Sequence, residues 1–111
     1  MSLDVSLEET TLSGVEIEVF TYNITHNLNK MASEAGIYKA LWRPDEINIT
    51  KAKDLIPLLE EGLESLESNP GFYREFNSPN GWGCYEDLVK FVRRYLQACR
   101  IHKEATVYAW R

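Results

Sequence analysis

Apolar and polar positions alternate with a period of two over Leu3-Asp4-Val5-Ser6-Leu7. The alternation returns over Val15-Glu16-Ile17-Glu18-Val19, with the turn pair Ser13-Gly14 between them. Such alternation lets one side of a strand enter a core, so residues about 3–11 and 15–22 predict a hairpin. A two-residue loop at Ser13-Gly14 would set Leu7 opposite Phe20 and Val5 opposite Tyr22. Val15, Ile17 and Val19 would then occupy the other face.

The period lengthens after residue 23. Ile24, Leu28, Met31, Ala32 and Ala35 share one side at helical spacing, and Gly36 is a C-terminal stop. Residues 37–42 predict a short helical turn closed by Pro44. Leu55, Leu59, Leu63 and Leu66 form the stripe of a second helix reaching Ser68, with glutamates opposite. Asp54 as its cap would leave Pro57 in the first turn, where a missing N–H costs little. Gly62 lies within the stripe and predicts close approach of another backbone. A third helix over about 84–100 carries Leu88, Phe91, Val92, Tyr95, Leu96 and Cys99 on one face, with Lys90, Arg93, Arg94 and Gln97 opposite. Residues 105–110 read as a last strand, expected to pair with residues 15–22. Strands, then helices, then a strand imply an α+β fold. It is a small antiparallel sheet, made of the N-terminal hairpin plus the C-terminal strand, packed against about three helices. Residues 1–14 are expected to form an N-terminal strand or arm, partly flexible, and residues 15–111 a single globular domain.

Charge narrows the function classes. The 111 residues carry a net charge of -5, which argues against unspecific phosphate binding and makes nucleic acid an unlikely partner. A face at Arg93-Arg94 is the one place where such binding could start. Glu60, Glu61, Glu64 and Glu67 load the second helix with acid, and Lys90, Arg93, Arg94, Arg100 and Lys103 make the third basic. Two solvated faces explain this; an acidic-to-basic contact with a partner or a second copy is the alternative. No apolar run reaches the ~18 residues of a membrane span, and no signal-peptide pattern opens the chain, so no membrane partner and a cytoplasmic location are expected. Cys84 and Cys99 on one helix lie about 22 Å apart, too far for a disulfide. A reducing compartment fits. Cys84 falls on the apolar stripe and is expected to be buried filler. Two histidines and two cysteines show no ligand spacing, so no metal and no cofactor are expected.

Candidate chemistry concentrates where the first helix starts, in FTYNITHNL at residues 20–28. Asn23 or Thr25 can cap the helix, since its first backbone N–H groups lack partners. His26 and Asn27 are left over, turned away from the apolar stripe. A neutral imidazole beside free N–H groups could accept a proton or receive an anionic ligand group. The ligand-binding candidates are therefore Asn23, Thr25, His26 and Asn27. With them go Trp42 and Arg43, as an aromatic wall with a guanidinium, and Asn80 and Trp82 from the turn-rich Asn77–Gly83 loop. The aromatics Phe20, Tyr22, Tyr108 and Trp110 would share one sheet face if the last strand joins residues 15–22, and such a face is an interface candidate, for instance in a homodimer.

Three phrases, TYNITHN at 21–27, AGIYKALWRPDE at 35–46 and SPNGWGCYEDLVKF at 78–91, resemble in order and spacing a family of small, uncharacterised bacteriophage and prophage proteins. The resemblance covers most of residues 20–111 and implies a phage or mobile-element context without assigning a reaction. The leading expectation is a non-enzymatic protein-binding or interaction module, acting as a homodimer or on a host or phage protein. The alternative is a small ligand-binding domain or enzyme with a pocket joining His26, Trp42-Arg43 and Asn80-Trp82 around a small-molecule ligand. Convergence of those three segments on one concave site would favour the alternative.

Overall fold

Leu3, Val5 and Leu7, spaced two apart, all lie fully buried on one face of β1 (Ser2–Thr10). The computed structural model describes residues 2–111. β2 (Glu16–Thr25) pairs antiparallel with β1, setting Val5 opposite Tyr22 and Leu7 opposite Phe20 as the alternation requires. The connecting loop is longer than two residues. Thr11 N–H donates to the Val15 carbonyl at 2.8 Å, Gly14 turns the chain at φ +86°, and the ladder opens at Thr10–Glu16. A bulge restores the register: Glu8 faces Glu18 and Leu7 faces Phe20, leaving Val19 as the additional residue. The same bulge sets Ile17 opposite Glu9, the residue that meets His102 at 2.6 Å just past the last helix. Ile17 thus sits on the helix side of the sheet, not on the opposite face.

β3 (Thr106–Trp110) pairs with β1, not with residues 15–22, giving the order β2-β1-β3. The strand whose apolar residues are most completely buried is thereby paired on both edges. Residues 2–10 are the centre of the sheet, where a partly flexible arm was expected. The aromatic face is corrected with the pairing. Phe20 and Tyr22 point inward, stacked on Tyr95 (5.6 Å) and tilted against Phe91 (5.0 Å). Tyr108 and Trp110 stand opposite Ser6 and Asp4 on the outer face, stacked on each other at 5.6 Å. Four aromatics expected together occupy two faces.

The helices cover the inner face. After a 3-10 turn at His26–Leu28 come α1 (Asn29–Glu34), ended by Gly36 at φ +79°, and α2 (Tyr38–Trp42). A second 3-10 turn at Pro44–Ile47 leads to α3 (Ala52–Ser68), α4 (Pro70–Arg74) and α5 (Tyr85–Ile101). The architecture is α+β, as the order of strands and helices implies. α3 starts before Asp54 and holds Pro57 inside. Tertiary bonds fix that start: Ala52 N–H donates to the Ala105 carbonyl and Lys53 N–H to the Lys103 carbonyl, both at 2.9 Å. Those N–H groups need partners in any helix, and the chain leading into β3 supplies them. Gly62 makes room for a side chain, not a backbone. A Cβ there would lie 2.1 Å from Ile37 Cγ2.

α3 and α5 pack together and join by ion pairs, Arg93 with Glu67 and Arg100 with Glu60 (2.7 Å). The acidic and basic helices thus meet each other within the chain. α4, unforeseen after the second helix ends at Ser68, begins on Pro70, where a proline suits the first helical position. Among the described residues, no helix is long and apolar enough to cross a membrane.

Candidate functional site

β2 ends on Thr25 in extended backbone (φ -70°, ψ 144°), and its Oγ1 accepts from the Asn27 N–H at 3.2 Å. Of the two capping candidates the structure uses Thr25. Asn23 stays in β2, where its Nδ2 donates to Ser2 Oγ (3.0 Å) and Asp4 Oδ1 (2.8 Å). The turn at His26–Leu28 drops Leu28 into the core and leaves Asn27 exposed.

His26 differs from its expected place on the open side of a helix. The ring is half-buried and meets Trp42 edge-on, centroids 6.2 Å apart. Its Nε2 has neither solvent nor a hydrogen-bond partner, and the Trp42 Nε1 is in the same condition. An indole N–H can only donate, and an imidazole Nε2 accepts only when the proton sits on Nδ1. Burying both without a partner would cost on the order of 1–3 kcal/mol each.

The opposing wall is the loop at residues 77–83. Ser78 N–H donates to the Gly83 carbonyl and Gly81 N–H to the Ser78 carbonyl, both at 3.0 Å, with Gly81 at φ +80°. Asn80 Oδ1 accepts from the Ser78 hydroxyl and, at 2.9 Å, from Trp82 N–H. Asn27 Nδ2 reaches across to the Trp82 carbonyl at 2.8 Å, joining positions 55 apart in sequence. Gly83 makes the approach feasible: at φ +115° it takes a conformation costly for other residues, and a Cβ would sit 3.1 Å from Asn27 Cβ. Past it, Cys84 caps α5 and its N–H donates to Asp87 Oδ2 at 3.1 Å.

Between the two walls lies an open cleft of about 860 Å³. Asn23, Thr25, His26 and Asn27 line one side and Asn80 and Trp82 the other, with Tyr22 and Asp87 between. Trp82 is 70 % exposed, so its ring is available to a ligand and does not plug the core. Trp42, 2 % exposed, backs His26 from within and is not a lining residue. Arg43 turns away, donating from Nε to the Tyr38 hydroxyl (3.1 Å) and pairing with Glu46 (3.1 Å). With Arg43 outside, the lining holds the Asp87 carboxylate and no lysine or arginine. Among the described residues, the lining therefore offers an anionic ligand group no lysine or arginine to meet its charge. Asp87 was missed in the sequence, although its place three residues after the Cys84 cap is the signature of a capping box.

The cysteines behave differently from each other. Cys84 is a half-buried cap, not filler, whereas Cys99 is fully buried and burial pushes its thiol up to about 12. Among the described residues no cluster of three metal-ligating side chains forms. Compared with known proteins, the chain matches no family model, no curated protein and no solved structure.

Proposed function

We propose that the chain is a ligand-binding domain whose recognition site is the cleft between the turn after β2 and the loop before α5. The reading is recognition and not turnover, because the groups presented are oriented amides and an aromatic surface. One observation carries it. Residues 23–27 and 80–83 converge, and each amide is fixed by internal hydrogen bonds while keeping one atom free for a ligand. The phage-type resemblance fits this reading, since its three phrases supply the first wall, the Trp42 backing and the second wall. The test is a ligand screen followed by amide chemical shifts. Saturable shifts at residues 23–27 and 80–83, abolished by Gly83→Ala, are expected. Shifts confined to other surfaces would defeat the reading.

A second reading has its own observation. Trp110, 52 % exposed, stacks with the half-buried Tyr108 on the outer sheet face, and an aromatic pair presented there suits a homodimer or a contact with a host or phage protein. Sedimentation of the wild type against Trp110→Ser tests this. A chain that stays monomeric at high concentration removes the homodimer from the reading.

A further inference from the structure

We propose that the cleft binds a neutral carbohydrate, as a short oligosaccharide or the terminal sugars of a longer glycan. The proposal rests on the cleft being the recognition site and names the chemistry it recognises.

The internal bonds settle which atom each amide offers. Asn23 commits both Nδ2 hydrogens, to Ser2 and Asp4, and presents Oδ1, whereas Asn27 commits one to the Trp82 carbonyl and presents Oδ1 together with its second Nδ2 hydrogen. Asp87 commits Oδ2 to the Cys84 N–H and presents Oδ1. Asn80 does the reverse. Its Oδ1 is taken by Ser78 and the Trp82 N–H, so it presents Nδ2, a donor. The remaining Asn27 Nδ2 hydrogen is a second donor. The ligand therefore meets three acceptors and two donors of set orientation.

An anion is disfavoured by this pattern, because its charge would face Asp87 and three acceptors with no lysine or arginine among the described lining residues. A purely apolar ligand would strand five polar groups on binding. Two chemistries survive. A cationic amine would use the acceptors but waste both donors, and the one carboxylate is already engaged at the start of the 17-residue α5, whose end is electropositive. Hydroxyl groups donate and accept at once and match the mixed pattern. A pyranose also has an apolar C–H face, and Trp82 offers an exposed ring beside the amides to receive it. The volume of about 860 Å³ lies within the ~300–1,000 Å³ of small-molecule sites and leaves room for more than one ring.

The experiment uses the full chain, labelled for amide and indole NMR, titrated with lactose, maltotriose and chitotriose. Sialyllactose serves as an anionic probe and spermidine as a cationic one. At least one neutral sugar should shift the Trp82 indole and Asn27 amide saturably, with sialyllactose weaker than lactose. Trp82→Ala should weaken that sugar about tenfold. Asn80→Asp keeps the acceptor used by Ser78 and Trp82 but replaces the free donor by a charge. It should weaken the sugar and strengthen spermidine. If spermidine binds tighter than every neutral sugar, the ligand is a cation; the carbohydrate proposal falls and the cleft reading stands. If no probe moves cleft signals, and the broader screen also leaves them unmoved, both fall.

Discussion

The β1–β2 ladder has two ends, Ser2–Thr25 and Thr10–Glu16, and each shows large side chains to water. At the hairpin end these are Leu12, Val15 and Ile17, all exposed. The polar groups there serve the loop itself, with Thr11 Oγ1 accepting from Val15 N–H and bonding Ser13. At the cleft end Trp82 is more exposed than Ile17 or Val15. Yet it stands in a loop held by Asn27, Asn80 and the close seat of Gly83. Exposure alone does not distinguish the two ends, since scattered surface apolar residues are ordinary. Preorganisation does. Groups that are fixed before binding lose less entropy when a ligand arrives, and only one end has them.

The contrast can be tested by substitutions and conditions, starting with those that act on the core both ends share. Cys99 and Tyr95 are buried, and burial raises the thiol from about 9 to about 12 and the phenol well above its usual range. Unfolding lets the thiol ionise above pH ~9, so in that window the folded chain binds more protons. Stability is unaffected below pH ~9 and falls as pH rises towards ~12, by about 1.4 kcal/mol per pH unit for Cys99 alone. Urea midpoints measured across that range should show it, with a shallower decline in Cys99→Ala. A flat profile in the wild type would mean the thiol is not enclosed.

Gly62→Ala follows, costing about 2–3 kcal/mol because the added methyl overlaps Ile37. Both ends should loosen together in hydrogen exchange, and Ile37→Ala in the same chain should return part of the stability. Gly83→Ala should separate the ends. Its positive φ and its contact with Asn27 make the loop cost about 1–2 kcal/mol. Amides 78–83 should exchange faster while α3 and α5 keep their protection. Equal loosening of α5 would show that the loop is not an independent unit.

Asn27→Ala removes the bond to the Trp82 carbonyl, about 1 kcal/mol, so the melting temperature should fall by only about 3–6 °C while faster hydrogen exchange is confined to the same loop. Ile17→Ser is the smallest change, within about 0.5 kcal/mol. A larger loss, or a shift in sedimentation, would give the hairpin end a role and erase the distinction drawn above.

The parts legible from sequence are those governed by near neighbours. Period-two alternation located both hairpin strands, and helical spacing located α3 and α5 with their buried faces. The register of Leu7 with Phe20 came out as expected for a reason the sequence does not display: a longer loop and a one-residue bulge at Val19 offset each other. At the site, the polar types at residues 23–27 and 80–82 flagged both walls, because so many hydrogen-bonding side chains exceed what a turn consumes. Arg43 was misplaced, as its neighbour Trp42 shows nothing of where a guanidinium four bonds from the backbone will go. Asp87 was overlooked because a cap residue reads as helix chemistry until another segment arrives beside it.

Local pattern, then, dictated an α+β chain with a polar break after β2 and a glycine-rich loop before α5, since periodicity and turn chemistry depend on residues a few positions apart. Which edge of β1 the last strand takes, that Trp42 lies behind His26, and that Asn27 meets Trp82 were decided only in three dimensions. Each is a contact between distant segments, fixed by how buried surfaces fit and by which unpaired polar atoms can reach one another. No window of sequence contains both partners.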